Sequence, residues 1–177
     1  VSSVAVYNEM LKRRPDLAEE LCRSLYRDRR DEVPAGMEPW YRLAVFHFHK
    51  GYFSASIEPT YIGSAHRLDD IPEMTNRQKE AMGMSQALSE ELRFDTGFMR
   101  GDMQFCNNHV IFHTRRAFED FDDPSRKRHL LRLWLKALDG RPLPAAFYER
   151  HGTVESIDRP GGIVGADTVL NAPIGRV

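Results

Sequence analysis

The stretch Gly101–Leu135, GDMQFCNNHVIFHTRRAFEDFDDPSRKRHLLRLWL, carries the residues whose types and spacing could do chemistry. A Gly101-Asp102 turn leads into a β-like piece, Met103–Cys106. Asn107-Asn108 leads into a second, His109–His113, and a third follows at His129–Leu135. Residues four apart on a strand share a face, because side chains alternate with a period of two. His109 and His113 therefore point one way, and so do Arg128 and Arg132. An imidazole beside a pair of inward arginines can build a metal pocket that also takes an anion. The same residues can equally form a salt-bridged barrel wall, with Arg128 paired to Glu119, Asp120 or Asp122 and Arg132 bonded to backbone.

Other constellations are weaker. His47-Phe48-His49 has the H-x-H form of cupin metal sites, but the nearest following glutamate is Glu58, nine residues on, so an ordinary strand edge is the better reading. Arg115-Arg116 and Arg126-Lys127-Arg128 are interleaved with Asp120, Asp122 and Asp123, which reads as a mixed solvated surface. Met82 and Met84 read as helix packing. Tyr52 and Tyr61 suit a pocket rim or the core. There is no G-x-S-x-G and no Cys/His arrangement to support a hydrolase or isomerase.

These residues need a scaffold. Val1-Ser2-Ser3-Val4 reads as an apolar, strand-like start, and residues 1–30 as helical after it. Pro15 suits the first turn of a helix, with Asp16, Glu19 and Glu20 favouring its positive end. Leu17, Leu21 and Leu25 recur every four residues as one apolar stripe. Asp28–Pro39 reads as a loop. Tyr41–His49 alternates as a strand, Lys50-Gly51 is a turn, and Tyr52–Ile57 is the partner strand. Asp69–Pro72 breaks the chain. Thr75-Asn76-Arg77-Gln78 has the form of a capping box, opening a helix that runs to about Leu92 with Met82, Leu88 and Leu92 on one side. Asp122-Asp123-Pro124 marks an acidic turn. Residues 1–150 form the body, and 151–177 a loop-rich tail with Pro160, Gly161, Gly162 and Gly165.

Composition bounds the rest. A chain of 177 residues with 41% hydrophobic and 29% charged residues is of ordinary globular make-up and single-domain size. A net charge of −1 argues against a generally basic nucleic-acid binder, and no apolar run approaches a membrane span. Cys22 and Cys106 lie far apart without zinc spacing, which suggests two free, buried thiols in a reducing cytoplasm.

The stretch from Gly101 resembles the C-terminal half of the taurine dioxygenase-like (TauD/TfdA) Fe(II)- and 2-oxoglutarate-dependent oxygenases. The matching residues are Gly101-Asp102, Asn108, His113, Arg115, Arg128 fifteen residues after His113, and Arg132 four further on. SSVAVYNEML, RPDLAEEL and the helix after Thr75 extend the resemblance over residues 1 to about 150. It implies an α+β fold, a double-stranded β-helix (jelly roll) with flanking helices, incomplete at its N-terminus. It implies that His113 is the distal iron ligand and that Arg128 pairs with the far carboxylate of 2-oxoglutarate. Arg132 would lie nearby, where some relatives hold an anionic substrate group. His109 falls at a variable position of the pattern.

The implied activity is hydroxylation of a small organic substrate with O2, releasing succinate and CO2, with Arg132 the one hint that the substrate is anionic. The alternative is a non-catalytic jelly-roll domain that retains Arg128 and Arg132 as an anion site. Asn107 stands where many members have Asp. The family's His-x-Asp/Glu is absent, since none of the seven histidines has an acid two places later. In family members that motif precedes the stretch resembling Val1–Leu11, so the chain is expected to be the back part of a longer protein. Alone, it is expected to be poorly stable or to associate with itself.

Overall fold

The computed structural model describes residues 1–150 except Asp31, Lys136 and Leu138. The tail expected at 151–177 lies outside the described residues.

Three helices form one layer. Ser2 caps α1 (Ser3–Arg13), its hydroxyl accepting from Ala5 N at 3.3 Å, and Val6 and Met10 put one face wholly inside. The apolar start is therefore extended only as far as Ser2. The residue before a proline is held out of the helical region, which ends α1 at Arg14. Pro15 then opens α2 (Pro15–Leu21) from the first helical position, where its missing N–H costs nothing. Leu17, Ala18 and Leu21 bury the inner face of α2. The long helix α4 (Asn76–Glu91) begins with the expected capping box. Gln78 N donates to Thr75 Oγ1 at 3.1 Å, and Thr75 N to Gln78 Oε1 at 3.0 Å. Its Ala81, Ser85 and Leu88 face α1 and α2. Arg13–Glu91 and Arg14–Glu80 pairs cross the rim of that contact, each at 2.7 Å.

Two short antiparallel ribbons lie against the helices. Strand β1 (Leu25–Asp28) pairs with β2 (Trp40–Leu43), Leu25 opposite Leu43. Leu25 is thus not the last residue of a helical stripe. It is buried as that stripe requires, but a strand delivers it, because α2 ends at Leu21. Likewise Tyr41–His49 is not one strand. The chain leaves β2 at Ala44-Val45 and re-enters as β3 (Phe46–His49), which pairs with β4 (Tyr52–Ala55). Bonds outside the two strand ladders hold the break. Val45 N donates to Leu21 O at 2.9 Å, Ser56 N to Val45 O at 2.9 Å, and Arg27 Nη2 to Ala44 O at 2.9 Å. Lys50 and Gly51, at φ 48° and 81°, form the tight turn joining β3 to β4, a geometry that suits glycine. The short helix α3 (Pro59–Ala65) packs on β1.

The core runs between these layers: Val6, Met10, Leu17, Leu21, Val45, Phe46, Ile62 and Leu88 are all 2% exposed or less. Tyr7 docks three rings, with centroids 5.1 Å from Phe46, 5.3 Å from Phe48 and 5.4 Å from Phe53. Near the end of the described chain, α5 (Ala146–Glu149) contacts β2.

The three strands expected at Met103–Cys106, His109–His113 and His129–Leu135 are not formed. Within them only Ile111 makes a bridge, to Ser2. A strand must bond to a neighbour along its edge, and the described residues offer these segments little more than Val1–Ser3 and Ala55. Their alternation survives as exposed side chains, among them Met103, Phe105, Leu131, Leu133 and Leu135. Cys22 and Cys106 are unpaired as expected, but exposed rather than buried. Among the described residues, no helix is long and apolar enough to cross a membrane.

Candidate functional site

The segment holding His113 is anchored from two sides. Asn107 starts a turn, its Oδ1 accepting from His109 N at 3.1 Å and its carbonyl from Val110 N at 3.1 Å. The carbonyl of His109 then accepts from Ala55 N at 2.7 Å, tying the turn to the edge of β4. Next, Ser3 N donates to Val110 O at 2.9 Å and Phe112 N to Val1 O at 3.0 Å, a short ladder in front of α1. His113 follows directly on that ladder. Its ring has no hydrogen-bond partner among the described residues. Partial burial lowers its pKa first, and the positive charge of Arg132 lowers it further. Both effects favour the neutral imidazole, the form in which it can bind a metal.

The two arginines do not share a strand face. The Arg132 guanidinium lies 5.9 Å from the Trp134 ring, on the His113 side, and Arg132 is exposed rather than buried against backbone. Arg128 lies 5.3 Å from the Phe118 ring, which Arg115 also approaches at 4.8 Å. The expected competitor for Arg128, an ion pair with Asp120, is replaced by a backbone bond: Arg128 N donates to Asp120 Oδ1 at 2.9 Å. Between them Asp123 caps a turn of 3-10 helix at Pro124–Arg126, accepting from Ser125 N at 2.9 Å, which lowers its pKa.

Arg128 opens onto a cleft of about 470 Å³ lined by Thr96–Arg100 and Arg128–Leu130. Its rim bears Arg100, Arg128 and His129 and no acid. Geometrically, then, His113 stands with Arg132, and Arg128 with Arg100.

His47 and His49 behave as the strand edge expected of them. His47 donates from Nε2 to Ala44 O at 3.0 Å, since a carbonyl can only accept, and its ring meets Phe147 edge-on at 4.7 Å. Burial first, then the charge of Arg27, pushes its pKa down to about 4.

One polar network was not foreseen. Arg27, wholly buried on β1, donates to Ala44 O at 2.9 Å, Ser56 O at 2.7 Å and Ser56 Oγ at 3.1 Å. Glu58 accepts from Arg27 at 3.4 Å, Tyr41 Oη at 3.1 Å and Arg150 at 2.7 Å. Burial raises the Tyr41 pKa to about 12, with the Glu58 charge adding. Arg29 donates to the carbonyls of Glu149 and Arg150 at the end of α5. In sequence these residues look like any exposed charges, and only the fold brings them together.

The sequence is similar to those of known proteins. The chain is 29% identical to FR-33289 synthase of Streptomyces rubellomurinus over 168 residues, which is 90% of this chain and 48% of that protein. It is 32% identical to the taurine hydroxylase-like protein SAT17 of Stachybotrys chartarum over 145 residues, 75% of this chain and 34% of that protein. The chain therefore spans about half the length of the first relative and a third of the second. Residues 1–134, from α1 through the segments bearing His113, Arg128 and Arg132, match one family description, and the chain belongs to it: the taurine catabolism dioxygenase TauD, TfdA family.

Proposed function

We propose that the protein is an Fe(II)- and 2-oxoglutarate-dependent dioxygenase. On this reading it hydroxylates a small, anionic organic substrate and releases succinate and CO2, with the jelly roll of its family as the complete fold. The observation that carries the reading is His113. It follows directly on the ladder in front of α1, is free of hydrogen bonds among the described residues, and has its pKa lowered by partial burial and then by Arg132. That fits one imidazole position of an iron site. Among the described residues no three His, Cys, Asp or Glu side chains gather, so on this reading the described residues supply one donor of a larger set.

Bound Fe(II) would supply the activation of O2 for C–H oxidation when it is coordinated by two histidines and a carboxylate. The chain's own residues do the rest. Arg128 offers a planar, always charged fork to the remote carboxylate of 2-oxoglutarate, a geometry lysine cannot reproduce. Arg132 adds to the burial that lowers the His113 pKa and offers a cation to an anionic substrate group.

The test is succinate release from 2-oxoglutarate by the full-length protein with Fe(II) and O2. Loss of turnover in both His113→Ala and Arg128→Ala supports the assignment, and retained turnover in either refutes it. A second reading, a non-catalytic anion-binding module, is favoured by the acid-free cleft at Arg128. Anion binding by the full-length protein without any succinate formation would establish that reading instead.

A further inference from the structure

Arg100 lines the same cleft as Arg128, and a defined turn holds it there. It occupies the second place of a tight turn, Met99 to Asp102. Asp102 N donates to Met99 O at 3.1 Å, and Met99 N donates to Asp102 Oδ2 at 2.8 Å. Gly101 follows Arg100 at φ 97°, a conformation that favours glycine and that the turn requires. The Gly101-Asp102 pair thus presents Arg100 at the apex of a turn locked in both directions.

The charge balance points the same way. Acids close in sequence to the cleft residues are committed elsewhere. Asp102 is turned back onto Met99 N, Asp120 accepts from the Arg128 backbone, and Asp95 pairs with Arg93 and Arg116. Most arginines of the helical layer, such as Arg13, Arg14, Arg23 and Arg77, meet a carboxylate. Among the described residues neither Arg100 nor Arg128 does. Two uncompensated guanidinium groups facing one cleft repel each other unless an anion lies between them.

We infer that Arg100 is a second anion-binding residue, which with Arg128 forms a two-arginine clamp on the remote carboxylate of the 2-oxo acid. The inference rests on the assignment of Arg128 given above. Two forks can hold a carboxylate from two sides, one on each oxygen edge, and so favour a dicarboxylate over a 2-oxo acid with an uncharged end.

Calorimetric titration of the full-length protein with 2-oxoglutarate, with and without Fe(II), tests this. Arg100→Gln is expected to weaken binding about tenfold, the worth of one charge-assisted hydrogen bond, and Arg100→Lys to recover part of it. The loss should shrink for 2-oxopentanoate, which lacks the remote carboxylate. Arg100 is exposed on a turn whose hydrogen bonds are to backbone and Asp102, so circular dichroism should show both variants folded. Unchanged 2-oxoglutarate binding in Arg100→Gln, with a clear loss in Arg128→Gln, overturns the clamp and leaves the Arg128 assignment standing. Unchanged binding in both variants overturns both.

Discussion

Arg132 acts on His113 through space, and the sign of the effect is testable. A nearby cation disfavours the imidazolium, so removing it must let the ring protonate more readily. Arg132→Gln should raise the His113 pKa toward the ordinary imidazole value, read from the ring resonances in an NMR pH titration. An unmoved pKa would show that the two groups do not interact. His47 gives a second, independent signal. Its folded pKa of about 4 lies below the ordinary 6.5, so between those values the unfolded chain binds more protons than the folded one. The contribution of His47 to stability is therefore fully present above about pH 6.5 and is lost as the pH falls toward 4. Urea denaturation midpoints measured over that window should fall with pH, and His47→Gln should flatten the slope.

At the scale of elements, Glu58 joins β1, β2, the start of α3 and the residue after α5. Glu58→Leu leaves the buried Arg27 guanidinium without its carboxylate, and should cost about 3 kcal/mol in chemical denaturation. The double variant Arg27→Met/Glu58→Leu should cost less than the sum of the two single changes, because neither charge is then left alone. Thr75→Ala removes the hydroxyl that caps α4 and should cost about 1 kcal/mol.

The same elements show what the sequence made legible. Caps and turns are local chemistry, so Pro15, the Thr75/Gln78 box and Lys50-Gly51 could be read directly, and each stands where expected. Burial was legible too, since Leu25 had to be inside. What delivers it was not, because a four-residue spacing suits the end of a helix and one residue of a strand equally well. The break at Ala44-Val45 depends on Leu21 and Arg27, which no local pattern mentions. His113, Arg128 and Arg132 stood out in the sequence through the family resemblance that they complete, spacing alone leaving a barrel wall equally open. Their division into two places was not legible, because it depends on whether the segment pairs as a strand.

For the molecule as a whole, the leading consequence is the apolar surface left on the segments around the site. Leu131 and Leu133 are 88% and 82% exposed, and Phe105 is 80% exposed. Apolar side chains spaced for a strand, on backbone with few partners, invite pairing with another chain. The chain by itself should therefore self-associate, giving a light-scattering mass that climbs with concentration. Leu131→Lys/Leu133→Lys should reduce that climb. A constant monomer mass up to high concentration would contradict the expectation.

The two exposed thiols have a practical use. Cys22 closes α2 at the edge of the helical layer, while Cys106 sits in the segment between the Gly101 turn and the His113 ladder. They are the chain's only cysteines, so a pair of nitroxide labels needs no engineered position. The separation of the labels in a pulsed electron resonance measurement then becomes a molecular ruler. It would read how far the segment leading to His113 travels, relative to the helices, when a 2-oxo acid is added.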